Sequence, residues 1–174
     1  MKSEELKKCI RDVHNFPQEG IVFKDISTLL KDKKAFKKSI ELLATKFKKD
    51  RIEYVVGVES RGFIFGAPLA YALGAGFVPV RKKGKLPYKT KSITYELEYG
   101  KDTLEIHEDA LRPKSRVLVV DDLLATGGTI RAVIDLLEGF KTKIVGVAFL
   151  VELKFLNGKK KLKDFPIYSV IQYD

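Results

Sequence analysis

Apolar positions along the 174-residue chain follow two alternating periods. Short runs of β-branched and apolar residues predict strands at Tyr54–Val58, Phe77–Val80, Val117–Val120, Lys143–Leu153 and Ile167–Tyr173. Between them, apolar residues recur at i, i+3, i+4, i+7, the spacing of one helix face. That spacing predicts a helix from Ser3 to about Val13, with Leu6, Cys9, Ile10 and Val13 inward. It predicts a second from Lys34 to about Lys49 on Phe36, Ile40, Leu43 and Phe47, and a third from Phe63 to Leu73. A fourth begins after Thr129, on Ile130, Val133, Ile134 and Leu137. Helices alternating with strands that are apolar on both faces predict an α/β fold. The expected form is a single domain over 1–174, with a central, mainly parallel twisted sheet flanked by helices.

Two segments interrupt this rhythm. Ser92–Tyr99 and Asp102–His107 alternate like hairpin arms around Gly100-Lys101, with Ile93, Tyr95, Leu97 and Tyr99 on one face. The hairpin follows a loop rich in Gly and Lys, so the stretch of about 84–108 is expected to be a mobile hairpin lid. Phe16-Pro17-Gln18-Glu19-Gly20 breaks the first helix, and Ile21–Leu30 fits neither period cleanly. Apolar residues in an irregular connection line something, so about 13–30 is expected to form a small hood.

The strand ends hold the candidate chemistry. Arg116–Val120 runs into Asp121-Asp122, then Leu123-Leu124-Ala125-Thr126-Gly127-Gly128-Thr129, then a helix. A small-residue loop feeding a helix N-terminus offers N–H groups and a positive dipole end to a phosphate. Ligands of open α/β sheets sit outside the carboxyl ends of the strands. Two other strand ends are polar: Glu59-Ser60-Arg61-Gly62 and Arg81-Lys82-Lys83-Gly84-Lys85. In a parallel sheet all three converge on one edge. Several cations beside one phosphate loop fit a ligand with a monophosphate at one end and a pyrophosphate at the other.

Composition narrows the classes. No apolar run approaches the roughly 20 residues of a membrane span. Met1–Leu6 has no signal-type apolar stretch, and the single Cys9 excludes an internal disulfide. A cytoplasmic location is expected. The net charge of +10 raises a polyanion as partner, but lysines are spread over the whole chain. Two Asn, two Gln, one Met and one Cys make thermolabile types scarce, so the charge is read as a heat-stable surface rather than a nucleic-acid footprint. His14, His107 and Lys159-Lys160-Lys161 have no partner pattern and are read as surface or loop.

Val117–Thr129 resembles the phosphoribosyl-diphosphate-binding motif of the type I phosphoribosyltransferases. Phe16-Pro17, Gly20–Ile26, Glu59–Phe63, Arg81–Pro87 and Tyr95–Gly100 are similar, in the same order, to the adenine-specific branch of that family, over about Val13–Tyr173. The resemblance implies transfer of a phosphoribosyl group from 5-phosphoribosyl 1-diphosphate to N9 of adenine, giving AMP and diphosphate. It implies that Ala125, Thr126, Gly127, Gly128 and Thr129 cradle the 5′-phosphate, and that Asp121 and Asp122 meet the ribose hydroxyls. Arg61, Arg81, Lys82 and Lys85 would hold the diphosphate. Val22 and Lys24 would read the base through their main chain, with Phe23 stacking on it. Glu98 would be the catalytic lid residue, with Tyr99 beside it. Magnesium would arrive bound mainly to substrate oxygens, with no all-protein metal cage. A homodimer is implied as well. A 6-oxopurine acceptor (hypoxanthine, guanine or xanthine) and a non-catalytic regulator that senses the donor are the competing readings. Lys24 stands where the family commonly has Arg.

Overall fold

The computed structural model describes residues 2–96 and 100–174. Its sheet forms around three parallel strands: β3 (Tyr54–Val58), β4 (Gly76–Lys82) and β7 (Arg116–Leu124), with β3 in the middle. β8 (Lys143–Leu153) and β9 (Ile167–Tyr173) continue the parallel sheet on the β7 side. On the β4 side, the hairpin of β5 (Thr90–Glu96) and β6 (Lys101–His107) is added antiparallel, giving the order β5-β6-β4-β3-β7-β8-β9. This is the central, mainly parallel sheet flanked by helices that the sequence pattern predicts.

Period-two alternation within β7 divides the core. Leu118 and Val120 point into one apolar cluster, Val117 and Val119 into the other. The first cluster lies under α3 (Lys33–Phe47) and α4 (Arg61–Leu73), the second under α5 (Gly128–Glu138). Asp32 starts α3 by accepting from the N–H groups of Lys34 and Ala35 at 2.8 and 3.0 Å. Pro68 lies inside α4 without ending it, and the helix stops at Gly74, which has φ +67°.

The N-terminal prediction needs correction. The first helix, α1, spans only Ser3–Lys7, and Arg11–His14 is a strand, β1. It pairs antiparallel with β2 (Val22–Asp25), matching His14 with Val22 and Val13 with Phe23. A short helix, α2 (Ser27–Lys31), follows. The stretch that fits neither period is thus half strand and half helix. Cys9 lies in the turn after α1, half-buried.

The hairpin alternates as expected, with Ile93 and Tyr95 turned inward and Thr94 and Glu96 outward. It is also an extension of the sheet, because β6 pairs with Arg81 and Lys82 of β4. Leu97, Glu98 and Tyr99, and with them the expected catalytic and lid residues, lie outside the described residues.

Candidate functional site

Register brings the three polar strand ends together. Val58 lies opposite Val80, and Gly57 lies between Pro79 and Val120, so Glu59, Arg81-Lys82 and Asp121-Asp122 come side by side at one edge of the sheet. They border a cleft of about 380 Å³, lined among others by Glu59, Arg61, Lys82, Tyr95, Asp121 and Asp122. A hollow of about 80 Å³ adjoins it, formed by the loop from Leu123 to Ile130. Asp121 and Thr129 border both spaces.

The acidic pair sits in unlike surroundings. β7 continues through Asp121 and Asp122 to Leu124, beyond the predicted end at Val120, because pairing with β8 extends to Glu152. Asp122 is buried, and its Oδ2 is 2.8 Å from Nε of Arg61 on α4. Asp121 Oδ1 accepts the N–H of Asp122 at 2.9 Å. Burial pushes the Asp121 carboxyl well above the usual carboxylate range, and the Asp122 charge adds to this. Burial raises Asp122 too, while the Arg61 guanidinium opposes the shift. α4 approaches so closely that a Cβ on Gly62 would lie 2.8 Å from Asp121 Oδ1 and 3.1 Å from the Val120 carbonyl. Only glycine allows this approach.

The loop after β7 turns on Gly127, whose φ is +78°. The first helical bond of α5 runs from Arg131 N–H to the Gly127 carbonyl at 3.0 Å. N–H groups before Arg131 have no helical acceptor and can serve an anion in the small hollow. Tyr95 closes the hairpin over this point: its hydroxyl is 3.4 Å from Thr129 Oγ1, and burial raises its pKa.

Each predicted diphosphate cation except Lys85 is paired with a carboxylate. Arg61 faces Asp122. Lys82 Nζ is 3.1 Å from Asp102 Oδ2, and that partner raises the Lys82 pKa. Arg81 holds both oxygens of Glu59 at 3.2 Å, donates to the Lys85 carbonyl at 3.1 Å, and does not itself line the cleft. Glu59 also accepts the Lys82 N–H at 2.9 Å. Burial works to raise Glu59, but the Arg81 guanidinium and the Lys82 N–H outweigh it and hold the carboxyl below its ordinary value. Lys85 is exposed on the loop beyond. Sequence reasoning missed Glu59 and Asp102 as organisers of these cations. Glu59 stood inside a quoted motif; Asp102 gave no signal, because its role depends on how β6 lies against β4.

The hood reaches the cleft through one residue. Val22, Phe23 and Lys24 do not line the cleft, but the Arg61 guanidinium lies 5.5 Å from the Phe23 ring centroid. Phe16 packs edge-on against Phe23 at 5.2 Å. The Lys24 side chain turns to Asp12 at 2.7 Å and over the Tyr173 ring at 4.3 Å.

The histidines stay out of the cleft, His14 exposed on β1 and His107 half-buried at the end of β6. Lys159 to Lys161 form a 3-10 turn, and Lys159 forms an ion pair with buried Glu152 at 2.8 Å, without the alignment of a hydrogen bond.

A family model described as the phosphoribosyl transferase domain matches residues 25–174. The chain belongs to the phosphoribosyltransferase family. Its similarity to particular members runs end to end. It is 56% identical to an adenine phosphoribosyltransferase of Clostridium tetani, over 98% of this chain and 99% of that one. It is 57% identical to another from Symbiobacterium thermophilum, over 97% and 99%. The crystal structure of adenine phosphoribosyltransferase from Thermoanaerobacter pseudethanolicus superposes with a TM-score of 0.95 at 53% identity, covering 99% of this chain and 100% of that one. The Saccharomyces cerevisiae enzyme, crystallised with an imino-altritol bisphosphate and adenine, gives 0.91 at 43% identity, covering 97% of each chain.

Proposed function

We propose that this chain transfers the 5-phosphoribosyl group from 5-phosphoribosyl 1-diphosphate to N9 of adenine, forming AMP and diphosphate in purine salvage. The observation that carries this is identity of 53–57% along 97–99% of the chain with adenine phosphoribosyltransferases. The site's chemistry agrees with it. The small hollow at the start of α5 takes the 5′-phosphate through Ala125 to Thr129, and Asp121 and Asp122 take the ribose hydroxyls. Arg61, Arg81, Lys82 and Lys85 take the diphosphate, and the hood around Val22, Phe23 and Lys24 takes the base.

In the reaction the C1–oxygen bond to diphosphate breaks, the C1–N9 bond forms, and the proton on N9 leaves. Positive charge grows on the sugar, and negative charge on the leaving group. The carboxylates beside the ribose favour the first; Arg and Lys at the rim favour the second. Glu98 orients or accepts the purine proton, and Tyr99 closes over it. Asp121, Asp122 and Asp102 line the cleft and offer hard oxygen atoms of the kind magnesium prefers. Magnesium would arrive bound mainly to the donor's own oxygens, as is usual for this ion. When bound, it neutralises charge on the leaving diphosphate.

The working form is a homodimer in the cytoplasm. Ile64 and Tyr71 on α4 are exposed apolar surface that a second copy would cover, and no helix among the described residues is long and apolar enough to cross a membrane. Purified protein given magnesium, the donor and adenine should release AMP and diphosphate in equal amounts. No AMP under these conditions would overturn the proposal.

A further inference from the structure

One cation beside the loop that forms the small hollow is not committed to a carboxylate. The 3-10 turn Gly158–Leu162 is fixed against the loop at both ends. At one end, a Cβ on Gly127 would lie 2.6 Å from the Gly158 carbonyl oxygen, and a Cβ on Gly158 would collide with the Ala125 carbonyl. The two backbones therefore touch. At the other end, Leu162 is fully buried in the apolar cluster beneath α5. Of the three lysines between these anchors, Lys159 is held by Glu152 and Lys160 is exposed. Lys161 turns toward the loop, with its Nζ 3.9 Å from where a Cβ on Gly128 would stand.

Gly128 is the first residue of α5 and lines the hollow. Arg61, Arg81 and Lys82 are each neutralised by a carboxylate, and Arg131, on the same helix, is paired with Asp135 and Glu138. Lys161 has no ion-pair or hydrogen-bond partner among the described residues. An unpaired ammonium near the first residue of α5, whose first N–H groups lack helical acceptors, has an anion as its natural complement, and it gives up no existing pair to bind one.

We propose that Lys161 is a further binding residue of the 5′-phosphate subsite, supplying the charge that loop N–H groups and threonine hydroxyls lack. This rests on the loop holding a monophosphate, as proposed above, but not on the identity of the base. Ribose 5-phosphate carries that phosphate and cannot react, whereas inorganic pyrophosphate probes the other end of the cleft.

Calorimetric titration of both ligands into wild type, Lys161→Ala, Lys161→Arg and Lys160→Ala tests the assignment. Lys161→Ala should weaken ribose 5-phosphate roughly three- to tenfold, as for a partly exposed charge-assisted contact. Pyrophosphate should stay within about twofold, Lys161→Arg should restore binding, and Lys160→Ala should match wild type. Lys161 is exposed, so folding is not expected to change, and equal melting temperatures would verify this. Unchanged ribose 5-phosphate binding in Lys161→Ala would overturn the role. Equal losses for both ligands, or in both lysine variants, would also overturn it, in favour of a general field effect. Wild type that shows this pattern yet makes no AMP would leave Lys161 in place and refute the adenine reading alone.

Discussion

Arg61 Nε lies 2.8 Å from Asp122 Oδ2 while the same guanidinium lies over the Phe23 ring. One side chain at the start of α4 therefore ties the acidic strand end to the hood. It also means that part of the cation supply is held back by carboxylates until a polyanion competes for it.

This pair should appear in stability. Asp122 is buried and Arg61 is about two-fifths exposed, so the full cost of orphaning a buried charge must be discounted for solvent. Arg61→Gln should cost about 1–2 kcal/mol, and Asp122→Asn should cost less, because it removes the charge that needs compensation. Urea unfolding of both single variants and the double variant should show a coupling of at least about 0.5 kcal/mol. Strict additivity would mean that the contact is not an energetic one.

Asp121 is held above the ordinary carboxylate range by burial beside Asp122. A raised folded-state pKa means that the native state favours the protonated form. Its stabilising contribution is complete below the unfolded-state pKa and is lost as pH rises through the folded one. Asp121→Asn keeps the oxygen that accepts the Asp122 N–H and removes the charge. It should melt about 2–4 °C higher than wild type at neutral pH, the shift of roughly 1 kcal/mol for a domain of this size. The advantage should shrink as pH is lowered and wild-type Asp121 takes up its proton. A variant less stable at neutral pH would contradict this.

Glu59 positions Arg81 and the start of the following loop. Glu59→Gln should raise KM for the diphosphate donor and lower kcat/KM for it by up to about 10²-fold, the scale of a misplaced binding group. KM for the base should change little. Because Glu59 is held below its ordinary value, its contribution to stability is present above the unfolded-state pKa and is lost as pH falls through the folded one. Stability of the variant should therefore depend less on pH in the acid range.

If Glu98 handles the purine proton, Glu98→Gln should lower kcat by about 10²–10⁴-fold with little change in the KM of the donor. Undiminished turnover would remove that role.

The sheet and the strand–loop–helix order around Gly127 were legible because β3, β7 and β8 are apolar on both faces and α5 keeps a helical period. The N-terminal hairpin was not. Leu6, Cys9, Ile10 and Val13 satisfy helical spacing, but Arg11–His14 gains more by pairing with Val22–Asp25, a long-range choice that local periodicity cannot register. Asp121 and Asp122 marked the strand end by polarity, yet the ladder with β8 carries the strand through them. The grouping of Arg61, Arg81 and Lys82 at neighbouring strand ends was readable. Their carboxylate partners were not, because Asp102 comes from the hairpin and meets Lys82 only once β6 joins β4. The place of Lys161 beside the loop has no sequence signal, because it depends on Gly158 packing against Ala125.

The most direct test offers the purified protein magnesium, 5-phosphoribosyl 1-diphosphate and an equimolar mixture of adenine, hypoxanthine and guanine, with the nucleotides separated after brief turnover. AMP should be the dominant product. Predominant IMP or GMP, or no nucleotide at all, would contradict the assignment.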